Sequence, residues 1–221
     1  MLIKWFGECS FLLQDSLQHK IVTDPYDLYS MNIILEYKPE VITISHLHFN
    51  IKECSSETDI PIIITKPGNY DLNFVDIIGL SSFHDNNLGV KRGDNIIYTY
   101  TFDNMNICHL GHLGHLLNED ILKSLGNIDI LFIPVGGHFT LDSRKASNLV
   151  KLIKPKITIP MYYKTYTSSY YLDGCNDFIT SMDSIIKLND DLLDTSSLNP
   201  TMPVTVLMKE TNLINNEKKT V

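Results

Sequence analysis

The chain has 221 residues, 43% of them hydrophobic and 20% charged, with a formal net charge of −8. That length suits one domain with a sizeable core, and the near-average apolar fraction excludes pervasive disorder. The acidic balance argues against a general nucleic-acid binder, which needs clustered Lys and Arg, but leaves room for a phosphate-bearing substrate where a metal ion reverses the local field. Apolar runs such as 128–135 break within about ten residues, whereas a membrane-spanning helix needs roughly 20. Lys4, Trp5 and Glu8 before a short apolar stretch make a poor signal peptide. Cys9, Cys54, Cys108 and Cys175 have no paired spacing and read as reduced, buried thiols of a cytoplasmic protein.

The first half of the chain reads as short strands with tight turns. Residues 2–6, 10–13 and 20–23 are brief apolar or alternating runs, and Asp24-Pro25 marks a turn. The β-branched run at 41–45 predicts a buried strand ending before His46. Further strands are expected at 61–65 and 74–80, and a hairpin over 95–102 and 105–109 joined through Asp103-Asn104. The second half interleaves helices: 118–125 with Asn118 as N-cap, 143–153, and 177–188. Strands at 128–135, 156–160 and 204–208 separate them, and the polar stretch 212–221 reads as frayed. Two layers of mixed sheet flanked by helices follow from that order.

Several strand exits carry polar residues. In His46-Leu47-His48 the two histidines sit two apart in extended chain, so their imidazoles point the same way and can share one metal ion. Taken alone, the pair also fits ordinary half-buried histidines. His84 follows another strand beside Asp85. Cys108-His109-Leu110-Gly111-His112-Leu113-Gly114-His115 spaces three histidines by three with glycines between, and for His109 and His115 a buried hydrogen-bonding role is the better reading. Gly136-Gly137-His138 ends another strand, its glycines either permitting positive φ or keeping space beside a ligand. Tyr162-Tyr163-Lys164 leaves a last one. Five such exits point to one shared mouth.

In order and spacing these segments resemble the metallo-β-lactamase superfamily, within it the UlaG-like branch of metal-dependent hydrolases. The landmarks are Ile3-Lys4-Trp5-Phe6-Gly7, Val22-Thr23-Asp24-Pro25, Ser45-His46-Leu47-His48-Phe49-Asn50, Phe83-His84-Asp85, Arg92-Gly93, Cys108-His109-Leu110-Gly111, Ile133-Pro134-Val135-Gly136-Gly137 and Ile159-Pro160-Met161-Tyr162-Tyr163. The resemblance covers residues 1–210, leaving 211–221 as a polar tail. It implies a mixed α/β (α+β) fold, a four-layer αβ/βα sandwich with the site at one edge.

The family pattern is H-x-H-x-D-H, a later His, an Asp after H-L-G, and a His in I-P-M-H-Y. The resemblance carries the first metal site onto His46, His48 and His84. At the second site Asn50 stands for the Asp, Ile51 for the His, His112 for the bridging Asp and Tyr162 for the last His, and Glu8 replaces an early His. Ile51 has no lone pair, Asn50 cannot accept a proton at neutral pH, and Tyr162 must lose a proton of pKa about 10 to ligate well. A two-metal site therefore looks lost. The expected metal ligands are His46, His48, His84 and His112, with Asn50, Tyr162 and Glu8 as catalytic contacts.

Three histidines suffice for one ion, zinc with manganese as the alternative, whose bound water falls to a pKa of about 7 and acts as hydroxide on a phosphoester, ester or lactone. His112 either lines this site or closes it as a fourth ligand. The competing readings are a pseudoenzyme that keeps the fold as a ligand- or partner-binding module, and histidines that serve the core with no metal. Partner expectations are a small-molecule substrate, no sequence-specific nucleic acid and no membrane, with a homo-oligomer left open. Aromatic loops at 26–37 and 162–172 are expected to border the mouth.

Overall fold

A computed structural model describes residues 1–46, 61–166, 168, 171–198 and 201–211. Strands β1 (Leu2–Gly7), β2 (Ser10–Gln14), β3 (Lys20–Thr23), β4 (Val41–Thr43) and β5 (Ile62–Ile64) pair in chain order, and β13 (Leu192–Asp194) joins the free side of β1 to complete the first sheet. The second sheet runs β12 (Ile185–Lys187), β14 (Val204–Leu207), β11 (Ile157–Met161), β10 (Ile130–Pro134), β9 (Met105–His109), β8 (Asp94–Phe102), β7 (Asp76–Phe83) and β6 (Gly68–Asp71).

Period-two alternation explains how both faces of the central strands are buried, while outer strands such as β7 keep one face exposed. Ile3, Trp5, Phe11, Leu13, Ile21 and Val41 of the first sheet meet Tyr98, Tyr100, Ile107, Ile130, Phe132, Ile159 and Met161 of the second in the central core. Their alternates, Leu12, Val22 and Ile42, face outward beneath Met31 and Ile34 of α1 (Leu28–Glu36). Leu131 and Ile133 of β10 likewise pack outward with Leu125 of α2 (Glu119–Leu125), Ala146 and Leu149 of α3 (Ser143–Ile153) and Phe178 of α4 (Asn176–Ile179). The result is four layers, helix, sheet, sheet and helices, as the resemblance implied. Among the described residues no helix is long and apolar enough to cross a membrane.

Most expected elements are present. Asn118 caps α2 through its side chain, which accepts from Ile121 N at 2.9 Å, and Asp142 does the same for α3 from Lys145 N at 2.8 Å. Two expectations need correction. The helix expected over 177–188 is only the four-residue α4. Past it, the β-branched pair Ile185-Ile186 adds as edge strand β12 beside β14, so the parallel pairing overrides local helical pattern. The stretch 26–37, expected as a mouth loop, contains α1. Asp27 accepts from Ser30 N at 2.6 Å while Ser30 Oγ accepts from Asp27 N at 3.1 Å, a capping box that starts a helix despite the aromatics around it. Strands β6 and β13 were not anticipated, because Gly68-Asn69 reads as turn and three residues give no periodicity. Cys9, Cys108 and Cys175 are buried free thiols as expected; Cys54 and the tail 212–221 lie outside the described residues.

His109 is a core residue, as its structural reading held. Its Nε2–H donates to Cys9 O at 2.9 Å and its Nδ1 accepts from Gly111 N at 3.2 Å, which fixes a neutral tautomer between Phe11 and Phe132. His115 is similarly spent, accepting from Phe83 N at 3.2 Å and donating to Leu116 O at 2.9 Å.

Truncating Phe132, which is fully buried and 4.4 Å from the Phe11 ring, is expected to cost about 3–5 kcal/mol. Urea unfolding of Phe132→Ala should show a lower midpoint with unchanged slope; an unchanged midpoint would mean the two sheets are not packed through this ring. Burial pushes His109 down to about 4, partly offset by its bond to Cys9 O. Because the unfolded ring titrates near 6.5, His109 favours folding fully above that pH and withdraws its support as pH falls toward about 4. Ring resonances of His109 followed by NMR should stay constant from pH 8 to about 5, whereas a midpoint near 6.5 would contradict this burial.

Candidate metal centre

Strands β3, β4 and β5 are mutually parallel, as are β9, β10, β11 and β14, and β7 runs in the sense of β9 through two antiparallel pairings. Five of the polar residues singled out from sequence follow carboxyl ends of these strands, the usual place for a site in layered α/β folds. His46 leaves β4, His84 leaves β7, His112 leaves β9, His138 leaves β10 and Tyr162 leaves β11. The long-range pairing of the two sheets therefore gathers segments up to 116 residues apart in sequence, as counted from His46 to Tyr162.

Three of the imidazoles converge. Ring centroids lie 4.7 Å apart for His46 and His84, 5.0 Å for His84 and His112, and 6.0 Å for His46 and His112. His46 Nδ1 contacts Asp94 O at 2.8 Å, and since a carbonyl only accepts, that nitrogen carries the proton. Its Nε2 keeps a lone pair, the tautomer a metal ligand requires, with the carbonyl orienting the ring. His84 and His112 are both 3% exposed. This donor set suits a borderline divalent ion such as zinc. His48, Asn50 and Ile51 lie outside the described residues.

Tyr162 sits at the same place, its ring edge-on to His112 at 4.9 Å. Burial, with Cys9 and the nearby Glu8 carboxylate behind it, pushes its phenol well above the ordinary range, opposed by Arg92. Burial therefore favours the neutral O–H form of Tyr162. Glu8 is the turn residue between β1 and β2, and its carbonyl accepts from Tyr162 N at 3.2 Å and from Trp5 Nε1 at 3.3 Å. Its carboxylate is near enough to raise both Tyr162 and Cys9. Glu8, Asp24, His138 and Tyr162 all have left-handed backbones, φ +40 to +51°. Each costs roughly 1 kcal/mol, and such residues concentrate where chain exits are bent to serve a site. A Cβ at Gly136 would collide with the backbone of Tyr162 and Tyr163, so that glycine makes room for the next strand exit, while Gly137 adopts the positive φ of +67°.

Sequence reading missed the polar frame beneath the histidines. Asp24, 4% exposed, accepts from Ser45 N and from Ser45 Oγ, both at 2.6 Å, and Ser45 Oγ is in turn 3.2 Å from His112 Nδ1. Burial pushes Asp24 up to about 7, with the two Ser45 donors pulling the other way. Asn95 is fully buried and fully used: it accepts from His112 N at 2.7 Å and donates to Ser82 Oγ at 2.7 Å and Leu110 O at 3.0 Å. Gly111, with φ +57°, lets the chain turn between them, since a Cβ there would lie 2.5 Å from Ser45 and 2.6 Å from Asn95 Oδ1. An isolated acid at a strand end before proline was the available signal for Asp24.

A loop after His84 forms the lip. Asp85 takes Asn87 N and Gly89 N on one carboxylate oxygen at 2.7 and 3.1 Å, and Lys91 N and Arg92 N on the other, both at 2.8 Å. Burial alone would raise its carboxyl, but these four donors outweigh it and hold Asp85 below the usual range. The Arg92 guanidinium then lies 4.4 Å from the Phe139 ring centre and donates to His138 Nε2 at 3.1 Å, and His138 stacks on Tyr171 at 5.3 Å. Lys164 is exposed.

Comparison with known proteins agrees with this arrangement. The family profile described as "Beta-lactamase superfamily domain" matches residues 2–162. A UPF0173 metal-dependent hydrolase of Pyrobaculum islandicum is 25% identical, over 75% of this chain and 85% of its own. Its counterpart in Thermococcus kodakarensis is 27% identical, over 74% and 85% respectively. The crystal structure of a Thermotoga maritima protein described as a zinc-dependent hydrolase of the metallo-β-lactamase superfamily superposes with TM-score 0.75 at 30% identity, covering 95% of this chain and 99% of that one. With its profile match, its two facing sheets and its histidines gathered at their common edge, the chain belongs to the metallo-β-lactamase superfamily.

Proposed function

We propose that the protein is a hydrolase using one catalytic divalent ion, zinc by donor chemistry, held by His46, His48 and His84, and acting on a phosphoester in preference to a neutral ester or lactone. The observation that carries this reading is the meeting of the His46 and His84 rings at 4.7 Å, with the His46 tautomer set by Asp94 O. An ion bound there acidifies water and polarises the substrate oxygen. Every other role falls to the chain itself. Tyr162, held protonated by burial, donates its O–H toward negative charge developing on the substrate. Glu8, whose charge is felt at Tyr162, takes the role of proton acceptor in this reading, which the neutral amide of Asn50 cannot fill. Arg92 supplies a cation to an anionic group at the lip, and the rings of Phe139, His138 and Tyr171 wall that side.

Purified protein should bind zinc, and His84→Ala should lose the ion of the histidine site together with at least about 100-fold of its turnover on a phosphodiester such as bis(p-nitrophenyl) phosphate. Zinc retained without any turnover on phosphodiesters, esters or lactones would instead support a non-catalytic binding module. Arg92→Ala should raise KM for the phosphodiester about tenfold while leaving KM for a neutral lactone unchanged. Equal effects on both substrates would remove Arg92 from anion recognition.

A further inference from the structure

Behind the histidine cluster, three donors of different chemistry point at one another. Cys9 comes from the turn after β1, Asp24 from the end of β3 and His112 from the exit of β9, and they are 1%, 4% and 3% exposed. One ligand atom from each lies within 4.8 Å of the other two. The nitrogen of His112 directed here is Nδ1, 4.0 Å from Asp24 Oδ2. Around a tetrahedral ion with metal–sulfur and metal–nitrogen bonds of about 2.3 and 2.0 Å, donors stand about 3.3–3.7 Å apart, so an inward shift of about 1 Å closes the set. Among the described residues the Cys9 thiol has one hydrogen-bond contact to give up, a long one of 3.8 Å to Gly111 O. Ser45 Oγ touches both Asp24 Oδ2 and His112 Nδ1, at 2.6 and 3.2 Å, so an ion would replace these two hydroxyl contacts while the Ser45 N–H keeps its bond to Asp24 Oδ1.

We infer that Cys9, Asp24 and His112 form a second, buried cation site, specific for a thiophilic divalent ion such as zinc. A thiolate, an imidazole and a carboxylate together select zinc over magnesium or calcium, which take all-oxygen shells. The ion enters as Zn²⁺ while the Cys9 thiol proton leaves to solvent; no electron is exchanged. Occupation uses His112 through Nδ1, and the two imidazole nitrogens diverge. His112 is thereby withdrawn from the His46, His48 and His84 site, which keeps an open position for water or substrate. This goes beyond the hydrolytic reading and does not depend on which ester is cleaved.

Cobalt substitution of the full chain tests it. Co²⁺ bound by a cysteine thiolate gives an intense near-ultraviolet sulfur-to-metal charge-transfer band, and cobalt bound only by histidines does not. Wild-type protein loaded with two equivalents of Co²⁺ is expected to show the band. His84→Ala should keep it while losing one equivalent of metal and hydrolysis, so failure of the hydrolytic reading and failure of this one are separable. Cys9→Ser should abolish the band and also lose one equivalent. Should Cys9→Ser fold poorly, judged by circular dichroism, the wild-type spectrum decides alone. A wild-type protein that binds cobalt without the band, or a folded Cys9→Ser that keeps it, overturns the proposal.

Discussion

The edge of this sandwich depends on one buried contact, the Asp24 carboxylate held by Ser45. Two donors from one residue, the backbone N–H and the hydroxyl, reach the carboxylate at 2.6 Å each. They join the end of β3 to the segment that leads from β4 into His46, and through Ser45 Oγ they touch His112 of the opposite sheet. Ile96 N donates to Ser45 O at 2.9 Å, so the same serine is pinned from β8 as well. A carboxylate this buried is costly unless hydrogen-bonded, and its location is thus tightly specified by its partners. The histidines inherit that specification, because each sits within a few residues of a tied backbone.

Around this tie the sheets are clamped by further polar contacts at the same end. Tyr98 reaches from β8 to the carbonyls of Ile44 and Ile64, at 3.1 Å each, and Tyr100 meets Thr43 Oγ at 2.6 Å. Elsewhere the interface is apolar, led by Trp5, Phe11, Phe102 and Phe132. The distribution separates two tasks. Apolar burial drives the sheets together without fixing their register, while the hydrogen bonds near His46 fix their relative position where ligand atoms must meet.

Much of this was legible in the sequence because it is local. Runs such as Ile130–Pro134 and Ile157–Met161 announce strands by their β-branched, fully buried character, and a histidine or tyrosine at the end of each announces an exit. What could not be read is convergence. That His112 rather than His109 or His115 faces His46 depends on a turn at Gly111 and on Asn95, a β8 residue whose role exists only once β8 and β9 have paired. Ser45 and Asp24 were invisible as a pair for the same reason, being 21 residues apart and joined only through the parallel pairing of β3 with β4. The helix over 177–188 failed differently: local pattern favoured it, and a sheet edge with an unsatisfied ladder beside β14 took Ile185–Lys187 instead.

The loop after His84 is built on other terms than the histidine cluster. Asp85 folds the segment from Asn87 to Arg92 around its own carboxylate, using four backbone donors and none of the intervening side chains. Asn86, Asn87, Leu88, Val90 and Lys91 are all exposed, so their identities are unconstrained by packing. The histidine next to this acid is consequently insulated from change in the loop that follows it. Descendants of this chain can rewrite those exposed letters freely, and the fold around His84 need never be rebuilt.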